Sequence, residues 1–227
     1  MCGRVTVKSS PKDLAEAARA VSIIAAPDRP DYNLPPTREI PVVANTGARE
    51  LDMFRWGLVP YWAKGDKKLP LMNNARAEGI GQKRMFASLL QKRRCLVVVD
   101  GFYEWKREGT GKNAKKTPFF IRRKDGKPLV FAGLWDQHEE GEHTLRSCTI
   151  TTCGANQTMA PIHDRMPVIL DPSSFDLWLS PEKQPLDVLT PLLVPAPDTI
   201  LELVQVGSDV NSVKNNSPEL IVPVAPK

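Results

Sequence analysis

Apolar residues along this chain fall mostly into short runs cut by proline and glycine, the pattern of strands and not of long helices. "IPVVAN" (40–45), "LDMFRWGLVP" (51–60) and "CLVVVDGFYEW" (95–105) are rich in the β-branched and aromatic residues that pack well on a pleated surface. "PFFIRRKDGKPLVFAGLW" (118–135) reads as two strands joined at Asp125-Gly126, the strongest hairpin signal present. "LRSCTITTC", "MPVIL" and "LELVQV" add further strands. Helical spacing occurs in three places. Ser10, Pro11 and Asp13 form a capping box, followed by a buried stripe of Leu14, Ala17, Ala18 and Val21. "GQKRMFASLLQK" (81–92) should bury Met85, Phe86, Leu89 and Leu90, and "SSFDLWLS" (173–180) should be capped from Asp171 or Ser173. Many strands with few helices predict an α+β fold, an antiparallel sheet or barrel-like core with a few flanking helices. With no repeat or flexible linker, residues 1–227 read as a single domain whose core spans about 2–223.

Composition changes this picture little. Hydrophobic residues make up 41% and charged residues 25% of the 227 residues, an ordinary globular balance. No run approaches the roughly 20 apolar residues of a membrane span, and Lys8, Lys12, Asp13 and Glu16 interrupt any signal-peptide core. The expectations are a cytoplasmic location and no membrane partner. The cysteines, Cys2, Cys95, Cys148 and Cys153, form no C-x-x-C pair, so the later three read as packed strand residues. No metal or other cofactor is expected. The net charge is +5, with basic clusters at 64–68, 91–94, 106–116 and 122–124. Each alone reads as a solvated loop or helix face; together they fit a polyanion partner.

The opening Met1-Cys2-Gly3-Arg4 carries the most distinctive chemistry. Removing Met1 would leave Cys2 with an α-amine and a thiol on adjacent carbons. A free α-amine has a pKa of about 7.7–8.0, against about 10.4 for lysine, so near neutrality it far outcompetes lysines for an aldehyde. The resulting imine could be attacked by the neighbouring thiol, closing a five-membered thiazolidine. The ordinary alternative is a small residue that merely follows the start. Three other residues bear on the choice. Asn74 lies in "LMNNARAEG" (71–79), otherwise a polar strand or turn. Glu104 ends an apolar run between Tyr103 and Trp105, where a carboxylate can serve as general acid or as an arginine's partner. His163 in "APIHDRMPVIL" is the best candidate for proton transfer, whereas His138 and His143 sit in the acidic stretch "DQHEEGEH" and read as solvated.

These blocks resemble, in order, the signatures of the SRAP family, the SOS response-associated peptidase proteins. They are Met1–Arg4, Asn74-Ala75-Arg76, Gly101–Trp105 and His163–Pro167, supported by "YNLPPT", "FRWGLVPYW", "RMF" and "NSVKN". The resemblance implies a protein that shields abasic sites in single-stranded DNA by covalent crosslinking. It further implies Cys2 as the crosslinking nucleophile, Asn74 as a hydrogen-bond partner of the opened sugar, Glu104 as acid/base beside the amine, and His163 as the residue that helps open the deoxyribose. Arg4, Arg76 and Arg84 would contact phosphates. Pro60, Tyr61 and Trp62 would form an apolar wedge against neighbouring bases, with Trp56 as another stacking candidate and Lys214 on the DNA face. Gly79 stands where a threonine is common in the family.

Two rivals share the opening quartet. An N-terminal-nucleophile amidohydrolase or peptidase would use Cys2 to cleave an amide, and a reversible DNA-binding module would leave Cys2 idle. The expected partner is single-stranded DNA containing abasic sites, and the expected assembly is a monomer.

Overall fold

The computed structural model describes residues 2–63, 70–109 and 114–224. The basic cluster at 64–68 and part of that at 106–116 lie outside them, as does Met1. In chain order the first strands are β1 (Val5–Val7), β2 (Ser22–Ile23), β3 (Asp31–Leu34), β4 (Glu39–Ala44), β5 (Glu50–Trp56) and β6 (Asn74–Arg76). They are followed by β7 (Arg94–Val99), β8 (Gly101–Glu108), β9 (Lys115–Arg123), β10 (Leu129–Glu140), β11 (His143–Gly154), β12 (Arg165–Pro167) and β13 (Leu201–Gln205). Four short helices flank them: α1 (Pro11–Ala17), α2 (Arg84–Lys92), α3 (Phe175–Trp178) and α4 (Leu186–Leu189). Among the described residues, no helix is long and apolar enough to cross a membrane.

Two sheets result. One is antiparallel throughout, in the order β13-β9-β8-β1-β3. The other runs β12-β11-β10-β7-β4-β5-β2 and closes on itself, because β11 also pairs with β5 at Ser147↔Arg55 and Cys148↔Trp56. Strands β11, β10, β7, β4 and β5 therefore form a five-stranded barrel. Closure removes the exposed edges that such short strands would otherwise present. The barrel-like α+β expectation holds, with parallel pairs at β2–β5, β5–β11 and β6–β11.

Several local readings are corrected. "CLVVVDGFYEW" is two strands in different sheets. The break falls at buried Asp100, whose carboxylate accepts the backbone N–H groups of Lys8 (2.6 Å) and Ser9 (2.9 Å) and the Ser9 hydroxyl. Gly101 is required there: a Cβ would lie 2.4 Å from the Phe120 ring and 2.6 Å from the Ile121 carbonyl oxygen. Asp125-Gly126 does turn the chain, with Gly126 at φ 74, but β9 and β10 join different sheets and do not form a hairpin. Sequential strands pair as hairpins at β4–β5, β8–β9 and β10–β11. The last of these contains His138 and His143, which lie on strands and not in an acidic loop. Helix α1 is capped by Ser10, whose hydroxyl accepts the Asp13 N–H at 3.2 Å, an interaction worth about 1 kcal/mol. It ends at Ala17, so Val21 is 80% exposed and not part of the stripe. Helix α2 buries Leu89 and Leu90, leaving Met85 and Phe86 half-buried. Asp171 caps the turn before α3, which buries Phe175 and Trp178.

The cluster at 91–94 is not a solvated face. Arg94 is fully buried and donates to the carbonyls of Trp178, Leu90, Ser180 and Glu182, and Arg93 pairs with buried Asp136 at 2.6 Å. Cys2, Cys95, Cys148 and Cys153 are all buried free thiols, as expected of packed residues for the last three. Burial raises the pKa of each, that of Cys153 to about 11. In the unfolded chain a thiol ionises near about 8.5, so above that pH unfolding is favoured by the thiolates it releases. The stabilisation is complete below about pH 8.5 and is lost as pH rises toward the folded values, by up to about 1.4 kcal/mol per pH unit for each thiol. Urea midpoints should therefore fall above that pH, and Cys148→Ala should make the fall shallower.

Candidate active site

Strand β11 organises one half of the site. Its C-terminal half pairs in parallel with β6 at Ile150↔Asn74, Thr151↔Ala75 and Thr152↔Arg76. The same segment pairs antiparallel with β12 at Thr152↔Pro167, Cys153↔Met166 and Gly154↔Arg165. The Asn74 block and the His163 block thus hang on opposite edges of one strand. The antiparallel sheet supplies the other half. Val5 pairs with Phe102 and Thr6 with Gly101, and the Tyr103 N–H donates to the Arg4 carbonyl, which brings the Cys2 end of β1 toward Glu104.

Side chains from both halves converge. Cys2 is only 1% exposed, and the Asn74 amide Nδ2 donates to its carbonyl at 2.7 Å. The Asn74 Oδ1 is buried and has no hydrogen-bond partner among the described residues. Burial raises the Cys2 thiol pKa, and the Glu104 carboxylate raises it further. Buried Glu104 places Oε2 4.0 Å from His163 Nε2. His163 Nδ1 accepts the Arg165 N–H at 3.0 Å and lies 2.9 Å from the exposed Asp164 carboxylate. In a neutral ring, accepting from Arg165 puts the proton on Nε2, toward Glu104; a ring carrying a proton on Nδ1 donates to Asp164 instead and gives up the Arg165 N–H. Glu104 and His163 open into a cleft of about 750 Å³ that is also lined by Trp105, Arg107, Lys116 and Asn211. The four residues singled out for chemistry thus lie at one seam between the two sheets.

The residues assigned to DNA contact are more dispersed in role. Tyr61 and Trp62 are 69% and 51% exposed, so two adjacent aromatic side chains face outward there. Asp136 holds the pair from beneath by accepting the Tyr61 N–H at 2.9 Å. Pro60 is buried, and Trp56 is fully buried with its Nε1 donating to the Asn73 carbonyl, so neither can stack on a base. Arg76, Arg84 and Lys214 are exposed. Arg4 lies over the Trp105 ring, with the guanidinium carbon 5.9 Å from the ring centroid, but donates from Nη1 to Asn33 Oδ1 (2.5 Å) and the Val210 carbonyl (2.9 Å). It therefore fastens the C-terminal block to the site. Asn33 completes that fastening through the carbonyls of Val210, Ser212 and Asn215. It lies in "YNLPPT", a segment whose sequence assigns it no chemistry.

The family model for "SOS response associated peptidase (SRAP)" matches residues 1–213. The chain belongs to the SRAP family. Abasic site processing protein YoqW of Bacillus subtilis (strain 168) is a relative of this SRAP chain, 41% identical over 224 residues, covering 97% of this chain and 99% of YoqW. Abasic site processing protein YedK of Escherichia coli (strain K12) is 34% identical over 197 residues, covering 85% and 84% of the two chains. A solved structure from Bacteroides thetaiotaomicron superposes with a TM-score of 0.81 over 99% of this chain and 100% of that one; at 23% identity it speaks to the SRAP fold alone.

One feature of this SRAP site went unread in the sequence. Arg165 Nη2 donates to Glu78 Oε2 at 2.8 Å and to the Thr152 carbonyl at 2.7 Å, while Glu78 Oε1 accepts the Gly154 N–H at 3.2 Å. The Arg165 hydrogen bond lowers the Glu78 carboxyl pKa. Glu78 thus ties the block carrying Asn74 to the one carrying His163. Gly79, at φ 67, opens the following turn in a conformation that glycine adopts at little cost. Because Glu78 is over half exposed, Glu78→Ala should cost only about 0.5–1 kcal/mol in urea unfolding. It should slow the site's chemistry more than that loss suggests, since both anchors shift.

Proposed function

We propose that this chain processes abasic sites in single-stranded DNA by trapping their aldehyde at Cys2 once Met1 has been removed. The observation that carries the reading is the run of neighbours across the seam: Asn74 donates to the Cys2 carbonyl, the Glu104 carboxylate acts on the Cys2 thiol, and His163 lies 4.0 Å from Glu104. The names of the relatives support abasic sites as the substrate.

In this reading, Glu104 and His163 move protons while the closed sugar opens to its aldehyde. The α-amine of Cys2 adds to that carbonyl, and loss of water gives an imine. The Cys2 sulfur then adds to the imine carbon while its proton passes to nitrogen, closing a thiazolidine without any change of oxidation state. A thiol held protonated by burial suits this order, with the amine attacking first. Asn74 fixes the Cys2 carbonyl and leaves Oδ1 to accept from a hydroxyl of the opened sugar. Tyr61 and Trp62 offer faces for the adjoining bases, where stacking contributes about 1–3 kcal/mol per base.

The test is a denaturing gel of Met1-free protein with two oligonucleotides, one bearing an abasic site and one bearing tetrahydrofuran, which has no aldehyde. A heat-stable shift with the first alone is expected, together with an intact mass equal to protein plus DNA minus one water. Glutamine turnover without a shift would favour the amidohydrolase instead, and binding visible only on native gels would favour a reversible module.

A further inference from the structure

Strand β5 pairs with β11 only as far as Trp56, after which the Gly57 N–H donates to the Cys148 carbonyl at 2.9 Å. Gly57 then turns at φ 123, where a Cβ would lie 2.6 Å from Leu71 Cδ1, and the ladder with β11 ends. Beyond it, three polar side chains of the β10–β11 hairpin take the place of ladder bonds. Asp136 and Ser147 are directly paired across the hairpin, and His138 lies two residues on from Asp136, so all three share one face. The Ser147 hydroxyl accepts the Val59 N–H at 2.8 Å and donates to the Val59 carbonyl at 3.3 Å. Asp136 Oδ2 accepts the Tyr61 N–H at 2.9 Å, and His138 Nδ1 lies 3.3 Å from the Tyr61 carbonyl oxygen. The Ala63 N–H closes the turn on the Pro60 carbonyl at 2.9 Å, with Tyr61 and Trp62 at its exposed corner.

Ser147 and Asp136 are both fully buried. Burying a hydroxyl and a carboxylate is costly, and apolar side chains of similar size often pack such positions at least as stably. Asp136 Oδ1 faces Arg93, which offsets the charge, while Oδ2 is given to the turn. What an apolar pair would not do is fix the backbone of that turn. Aromatic side chains on a loose turn would lose about two- to tenfold in affinity for each one that has to be ordered on binding. We propose that Ser147, Asp136 and His138 are positioning residues that hold the Tyr61–Trp62 turn preformed for stacking on the bases beside the lesion. They set how tightly the strand is held and not how fast its aldehyde is trapped. This deepens the abasic-site reading and rests on it for the identity of the strand.

Two measurements on Met1-free protein separate this role from general stability. In the first, a single-stranded oligonucleotide carries a fluorescent adenine analogue on either side of a tetrahydrofuran, and stacking quenches its emission. Ser147→Ala and Asp136→Asn should each weaken binding about five- to tenfold and lose most of the quenching that the parent gives at saturation. Ser147→Thr, which keeps the hydroxyl, should recover both. In the second, the rate of adduct formation on an abasic oligonucleotide is followed against DNA concentration. The half-saturating concentration should rise by the same factor while the plateau rate changes by less than about twofold, the pattern of lost uniform binding. Leu189→Ala, which opens a cavity under α4, should melt earlier yet keep parental quenching and half-saturation. If Asp136→Asn folds poorly because Arg93 loses its partner, Asp136→Asn/Arg93→Gln and Ser147→Ala carry the test. Parental affinity and quenching in the Ser147 and Asp136 variants, or a plateau rate that falls in place of affinity, would overturn the positioning role. A parent that quenches the analogue yet never crosslinks an abasic oligonucleotide would instead overturn the covalent reading alone.

Discussion

Replacing Cys2 with alanine should abolish the heat-stable adduct while sparing a fainter one that appears only after borohydride reduction. Once Met1 is gone, the alanine still presents an α-amine, so an imine can form and be reduced to a stable secondary amine. What it lacks is the sulfur that closes the ring. Ring closure within one residue benefits from effective molarities on the order of 10⁵ M, so its loss should return the imine to free exchange with water. The adduct surviving heat should drop by at least about a hundredfold, and Cys2→Ser should resemble alanine more than the parent, since a hydroxyl is the weaker nucleophile. An alanine variant with parental heat-stable yield would show that a different residue holds the DNA. The small side chain at a site where Cys2 is already buried keeps the expected structural cost near that of a modest cavity, which thermal melting would read separately.

The second large effect is expected at Glu104 and His163. Glu104→Gln removes the carboxylate while keeping the shape of a buried side chain, and His163→Ala removes the imidazole that faces it at 4.0 Å. General acid–base groups contribute about 10²–10⁴-fold, so each variant should slow adduct formation by about a hundredfold or more. Affinity for the tetrahydrofuran oligonucleotide should change far less. Because the two groups act on the same proton transfers, the double variant should be little slower than the worse single one, as for residues that work as a unit. Multiplicative losses would place them in separate steps. Equal rates in parent and variants would remove both from the chemistry.

Much of this architecture was readable from the chain because short apolar runs have few other fates. The capping signals at Ser10 and Asp171 also acted locally and held. What could not be read was partnership. Asp125-Gly126 is a genuine turn, yet which strand β10 joins depends on Val130, Phe131 and Ala132 meeting β7, a pairing between distant segments. Asp100 looks like any loop acid until Lys8 and Ser9 are seen to donate to it. Trp56 and Arg94 carry the side chains of a DNA surface but fill the interior, and only packing distinguishes the two. Cys2 stood out because the aminothiol idea depends on its identity alone, whereas Asn74, Glu104 and His163 were singled out through the family resemblance. The Glu78–Arg165 tie was not, since 87 residues separate its ends.

The anchoring of β1 bears on the proposed removal of Met1. Asp100 grips Lys8 and Ser9, and the ladder from Thr6 back to Val5 sets where Cys2 falls, so the address of the proposed nucleophile is written downstream of it. Under the proposed chemistry, a chain that has kept its initiator would settle into the same shape and visit the same lesions, yet behave as a decoy: occupying them, and always letting go.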